Sequence, residues 1–325
     1  MDRRRFVAVI GSALAAPLVI AQQAAKVPRI GYLFSFVRSQ GEHLWEACRQ
    51  GMRELGYVEG RNVVLEPRWA DGHHDRMPAL VAELVRLKAD VIVAAATPAN
   101  LAARAGAGSI PVVMVAVADP LRIGLVDSLA RPGGRMTGLS LLTPELSGKR
   151  LSMLAEVAGQ MRRVAVLNNP DNSSYAVFLQ ETSGAAKGMQ IQIHTLDARN
   201  SGEIERAFEG ASRLGAQALI VFDDPVLWSH RKQVVTLAAQ ARLPVMYGYS
   251  EFVDEGGLIS YGPHRPDLYR RTAAYVDRIL KGANPAELPI ERPTRFELFV
   301  NLKTAKSLGL AIPPSVLLRA DRVIE

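Results

Sequence analysis

The feature that most constrains this chain is an alternation of short apolar runs with amphipathic stretches, sustained from residue 29 to residue 301. Residues 29–34 form an apolar run, and 42–55 then place Leu44, Cys48, Gly51, Met52 and Leu55 on one helical face before Gly56 stops the helix. A β-like stretch at 62–66, a helix at 75–88, strands at 90–95 and 110–117 and a short strand at 136–141 continue the series. A second series follows, with helices at 144–157, 173–187, 201–214 and 228–241 between strands at 163–168, 190–196, 217–222 and 245–248. A short strand at 258–261, a strongly amphipathic helix at 267–281, a strand at 296–301 and a short helix at 304–308 complete it. The strands are apolar throughout instead of alternating, which fits parallel sheets covered on both faces and joined by right-handed helical crossovers. With 325 residues, at about 150 per domain, the expectation is an α/β protein with two parallel sheets of similar size. No repeat is visible in the residues themselves, so the duplication is architectural.

Residues 1–25 read as an export signal. Asp2-Arg3-Arg4-Arg5 precedes an apolar stretch, 6–20, that only Gly11, Ser12 and Pro17 interrupt. That stretch is shorter than the ~20 residues a bilayer span needs. Cleavage is expected after Ala21 or Ala24, and Arg3-Arg4 with Phe6-Val7 is like a twin-arginine signal. The alternative is a cytoplasmic protein with an apolar tail. No cysteine ends the stretch, so no lipid anchor is expected, and no later segment is long and apolar enough to span a membrane.

Cys48 is the sole cysteine, which excludes an internal disulfide and any cysteine-rich metal site. The formal charge is +7, but the basic residues are dispersed and no helix-turn-helix stands ahead of the first strand; no nucleic-acid partner is expected. Enzyme motifs fail one by one. Gly31-Tyr32-Leu33-Phe34-Ser35 lacks the paired glycines of a dinucleotide turn. Gly148-Lys149 lacks the other P-loop glycine, since Thr143 stands there, and Arg150 replaces the magnesium-binding hydroxyl. Gly138-Leu139-Ser140-Leu141-Leu142 lacks the closing glycine of a nucleophile elbow. His73-His74-Asp75 reads as a solvated loop, because adjacent histidines point in different directions. The chain is therefore expected to be no enzyme, with no cofactor and no metal.

What remains is polar punctuation at the carboxyl ends of strands, where open parallel sheets bind ligands. The candidates are Ser35, Thr97, Asp119, Asn168, Asn169, Ser173, Tyr175, Asp223, Tyr247 and Tyr249. Thr97 before Pro98 is also a good helix N-cap, Asn172 and Ser173 are possible caps, and the Asp-Pro pairs are turn signals. As ligand groups, Thr97, Ser173 and adjoining helix N–H groups suit an anion, and Asp119 and Asp223 suit a cation. The tyrosines, Tyr32 included, suit an apolar side chain.

Several blocks then resemble a known family. They are ELGYVEGRNVVLEPRWADG at 54–72, Asp119-Pro120, SLARPGG at 128–134, TGLS at 137–140, ELSGKRL at 145–151, AQARLPVMY at 239–247, GGLISYGP at 256–263, NLKTAKSLG at 301–309 and IPP at 312–314. In this order they are similar to substrate-binding proteins of ABC transporters of the tryptophan/tyrosine type. The resemblance implies a type I periplasmic binding protein fold: two Rossmann-like lobes, three hinge crossings near 141–143, 260–263 and 292–296, and a small solute in the cleft. Lobe 1 would hold 27–142 with 263–290 and lobe 2 would hold 143–262, with 291–325 lying across the hinge. It further implies a monomer in the periplasm that delivers an amino acid or related compound, an aromatic or branched one first, to an ABC permease and its ATPase. The alternative is a ligand sensor feeding a signalling receptor.

Overall fold

The computed structural model describes residues 26–141 and 143–325; the export signal expected at 1–25 lies outside the described residues. The first sheet contains β1 (Arg29–Phe34), β2 (Val64–Trp69), β3 (Val91–Ala95), β4 (Val112–Val117) and β5 (Met136–Ser140) in the order β2-β1-β3-β4-β5. Every neighbouring pair is parallel. Strands β3, β4 and β5 are buried along their whole length, as apolar runs covered by helices on both faces should be.

The second sheet contains β6 (Arg163–Asn168), β7 (Gln192–Asp197), β8 (Ala218–Val221), β9 (Val245–Tyr247), β10 (Ile259–Pro263), β11 (Phe296–Asn301) and β12 (Arg322–Ile324). Its order is β12-β11-β10-β9-β8-β6-β7. Two points depart from expectation. The sheet has seven strands, and β11 runs antiparallel to β10. The chain leaves after β10 for the first lobe and re-enters along the same edge, so the returning strand pairs without a crossover helix on its own sheet. The three residues of β12 and the one-turn helix Pro314–Leu317 are too short to leave a periodic pattern. The tail therefore crosses the hinge once and then extends the second sheet; it does not lie across the hinge along its length.

The three passages between lobes are visible in the backbone. After β5 the chain enters the helix Ser147–Ala158 of the second lobe. After β10 it enters the helix Arg265–Leu280, which packs in the first lobe against Arg38–Glu54. Residues 288–291 then line the edge of β5: Thr137 Oγ1 donates to Leu288 O at 2.7 Å, and Glu291 N donates to Gly138 O at 2.9 Å. From there the chain returns as β11. Among the described residues no helix is long and apolar enough to cross a membrane.

The helix pair Arg38–Glu54 and Arg265–Leu280 closes the face of the first sheet. Gly41, Leu44, Trp45, Ala47, Cys48, Gly51 and Met52 are its buried stripe on the first helix. Gly51 is there for space: a Cβ would lie 2.0 Å from Arg270 O. Tyr57 Oη donating to Asp277 at 2.9 Å and Arg270 donating to Glu54 at 2.8 Å hold the same pair further along. Gly51→Ala is expected to push the helices apart and destabilise the first lobe by about 1–3 kcal/mol, read as a lower midpoint in thermal unfolding; an unchanged midpoint refutes the close approach.

Candidate functional site

The strand ends of the two sheets meet. Thr97 Oγ1 in the first lobe lies 3.0 Å from Ser174 Oγ in the second, both buried. Around this contact, Phe36 packs on Trp228 at 5.0 Å between centroids. Gln40 donates to Ser229 O at 2.8 Å and accepts from Arg231 at 2.7 Å, His43 Nε2 stands 3.3 Å from Glu251, and Arg122 donates to Glu181 at 2.7 Å. The chain turns into this gap from β3 through Ala96, whose φ of 70° is left-handed. The helix begins at Ala96, so Thr97 is not its N-cap; Ala95 is. The hydroxyl is thereby freed for Ser174.

Ser35 ties two strand ends by donating to Ala95 O at 2.9 Å. Asp119 Oδ1 accepts from Leu121 N at 3.1 Å and Arg122 N at 3.0 Å, and its carboxylate lies 3.7 Å from the Arg122 guanidinium. Ser173 is exposed, and its neighbour Ser174 faces inward instead. The cause is an Asx turn: Asn172 Oδ1 accepts from Ser174 N at 3.1 Å and swings the next residue toward the first lobe.

Asp223 and Asp224 divide two structural tasks. Asp223 takes the Arg150 guanidinium at 3.1–3.3 Å with both side chains 2% exposed, so it is no open partner for a solute cation. Asp224 caps the helix Pro225–Ser229 through Val226 N (2.7 Å) and Leu227 N (3.0 Å), and accepts from Asn172 at 2.9 Å and Asn169 at 3.3 Å. Burial pushes the Asp224 carboxyl up, against the lowering effect of these donors. Asn168 donates to Leu196 O at 3.2 Å and Asp197 at 2.9 Å. Below them is a cavity of about 10 Å³ that Tyr175, Phe178 and Phe222 complete, room for no more than one water.

The tyrosines do not act together. Tyr32 is fully buried inside the first lobe against Trp45 at 4.7 Å, and Tyr247 is buried against Phe252 at 4.6 Å. Tyr175 is half-buried beside Phe222, and Tyr249 is half-buried with its ring 4.3 Å from the Arg265 guanidinium. Arg265 is the residue that strand-end reasoning misses. It follows the Gly262-Pro263 crossing, is sandwiched between Tyr249 and Trp228 (4.4 Å), and pairs with Glu251 at 3.1 Å. Burial resists ionisation of Glu251, but Arg265 and His43 outweigh it and hold the carboxyl down at about 2. Nothing in its own stretch of sequence marks Arg265 out, because its partners come from the segments around 228 and 249–251.

Burial pushes the Cys48 thiol up to about 12, away from a nucleophilic thiolate. Among the described residues no group of three or more His, Cys, Asp and Glu side chains is gathered for a metal. His73 is exposed and His74 half-buried.

Two α/β lobes, three crossings and polar strand ends that meet across a gap define a type I periplasmic binding protein architecture. The chain belongs to the ABC transporter substrate binding protein family, whose model matches residues 42–324. It is 24% identical over 263 residues to a tyrosine-binding protein of Clostridioides difficile strain R20291, covering 80% of this chain and 75% of that one. A conserved domain protein of Vibrio cholerae O1 biovar eltor superposes with TM-score 0.87 at 25% identity, covering 92% of this chain and 100% of that chain. The ABC domain from Streptococcus pneumoniae in complex with L-Trp superposes with TM-score 0.86 at 25% identity, covering 91% and 99%.

Asp223→Ala leaves the Arg150 charge buried and unpaired and is expected to destabilise the protein by about 3–5 kcal/mol in urea unfolding; a change below about 1 kcal/mol refutes the buried pair. Glu251 is depressed from 4.5 to about 2 on folding, so its contribution is present above pH 4.5 and lost as pH falls toward 2. Glu251→Gln is expected to show a shallower loss of stability than wild type across that window; parallel curves refute the assignment.

Proposed function

We propose that this chain is the solute-binding component of an ABC uptake transporter, exported to the periplasm, which closes on a small molecule and delivers it to a permease and ATPase. The observation that carries this is the set of contacts made only with the lobes together, Thr97 to Ser174 and Phe36 to Trp228 above all. A solute that touches both lobes stabilises the closed state and so shifts the hinge equilibrium. The solute is an amino acid or a related compound. This is supported by the tyrosine-binding name of one relative and the L-Trp in one similar structure.

In this assignment lobe 1 comprises 27–142 with 263–290, lobe 2 comprises 143–262 with the strands of the tail, and the protein acts as a monomer. Thr97 and Ser174 supply hydroxyls. Asn169, Tyr175 and Tyr249 supply the second-lobe wall, while Phe36, Trp69 and Trp228 cover the apolar part of the guest. Ser35, Asn168, Asp119, Asp223 and Tyr247 act indirectly, by holding strand ends and turns in place. No bond is made or broken.

A thermal-shift panel of L-amino acids checks this. A solute binding only the folded protein raises stability by about 2.7 kcal/mol at a hundred times its Kd. We expect a shift for aromatic or branched members, together with a smaller radius of gyration in solution scattering. Silence across the panel refutes the amino-acid assignment, and a shift without contraction refutes the closure mechanism.

A further inference from the structure

The carboxylates at the strand ends are already committed. Arg150 holds Asp223, amides and backbone N–H groups hold Asp224, and two backbone N–H groups hold Asp119. Three deeply buried side chains around the Phe36–Trp228 contact carry open donors. Trp228 is 1% exposed and its Nε1–H has no hydrogen-bond partner among the described residues; Arg265 is 5% exposed and its Nε–H has none either. Tyr269 is fully buried one helical turn after Arg265, and its hydroxyl lies beside the same guanidinium without closing a well-formed hydrogen bond to it.

The three donors belong to one cluster. The guanidinium carbon of Arg265 is 4.4 Å from the Trp228 ring centroid, and Phe36 packs on Trp228 at 5.0 Å and near Tyr269 at 6.5 Å. Arg231 adds positive charge 5.2 Å from the same indole. Two of the donors sit on the first-lobe helix and one on the second lobe, so a single acceptor among them spans the gap. One acceptor is also open, Glu251 Oε2, whose other oxygen takes Arg265 and His43. Buried donors left unmet carry the full desolvation penalty, so the group that belongs here is one that accepts several hydrogen bonds at once.

We infer that Arg265, Trp228 and Tyr269 form an anion anchor and that the solute is a carboxylate-bearing compound with an apolar body. The carboxylate accepts from Trp228 Nε1, Arg265 Nε and Tyr269 Oη, and a planar two-oxygen acceptor suits several converging donors. The body lies toward Phe36 and Trp69. An ammonium group, where the solute has one, meets Glu251 Oε2 and is not what the site requires. The inference rests on the cleft being the solute site, and it makes Arg265 a specificity-determining residue.

Matched probes test it by calorimetry on the full mature chain: L-tryptophan, indole-3-propionate and tryptamine, with L-tyrosine, 3-(4-hydroxyphenyl)propionate and tyramine as a second set. Acids are expected to bind and the amines lacking a carboxylate to bind at least about tenfold more weakly. Trp228→Phe and Tyr269→Phe keep the rings and remove one donor each; each is expected to weaken acid binding about tenfold. Arg265→Gln is expected to abolish it, with circular dichroism confirming that the variant is folded. A response to indole-3-propionate and none to L-tryptophan supports the anchor while removing the amino-acid assignment. Tight tryptamine binding with no response to any acid removes the anchor and leaves solute binding standing. Unchanged acid affinity in both donor-deleted variants, or no acid bound by wild type, also overturns it.

Discussion

Arg150 and Asp223 meet in the interior of the second lobe, and the geometry of the hinge is arranged around them. Arg150 lies on the first helix after the β5 crossing, and its Nε–H donates to Tyr261 O on β10, the last strand before the next crossing, at 2.8 Å. Asp223 follows β8. Gly248, just after β9, has no room for a side chain: a Cβ there would sit 1.7 Å from Asp223 Oδ1. Gly262 on β10 is equally constrained, 2.0 Å from Gly248 O. One guanidinium thus gathers the ends of three strands and the helix that entered the lobe. A buried pair of this kind is a poor source of net stability but a strong constraint, because neither charge tolerates the loss of the other. With Asp223 consumed in this way, the cleft presents donors where a reading of strand ends expects an acid.

That displacement shows what was legible in the residues and what was not. Apolar strands such as Val91–Ala95 and Arg163–Asn168 are readable because two covered faces demand continuous apolar side chains. Helix ends are less so. The stretch 228–241 carries one helical pattern, yet the structure breaks it at His230 into Pro225–Ser229 and Arg231–Gln240. The first piece also starts earlier than the pattern, at Asp224, a cap whose side chain is fixed by two asparagines that come from another loop. Ser173 and Ser174 are indistinguishable in sequence, and only the Asx turn at Asn172 decides which one faces the first lobe. Arg265 was illegible for a related reason: its partners, Trp228, Tyr249 and Glu251, lie on the far side of a crossing, and no periodicity within one element reports such a meeting. The antiparallel β11 is a topological consequence of leaving and re-entering a sheet on one edge, which hydrophobic patterning does not encode.

The contacts between the lobes also bear on how a solute controls them. Gln40 with Ser229 and Arg231, His43 with Glu251, and Arg122 with Glu181 are mostly at partly exposed positions, where water competes and each contributes little. The Phe36–Trp228 contact is apolar and fully buried, so it contributes more, but it brings the Trp228 indole N–H out of water with it. In the proposed closure, bringing the lobes together buries the Phe36–Trp228 contact and leaves donors on Trp228, Arg265 and Tyr269 without partners. These contributions oppose each other. Only a molecule that accepts from those donors in the closed state, and cannot reach them all in the open one, has the differential affinity that moves such an equilibrium. In the proposed function, donors met only in the occupied closed state are what make that state differ in stability from the empty one.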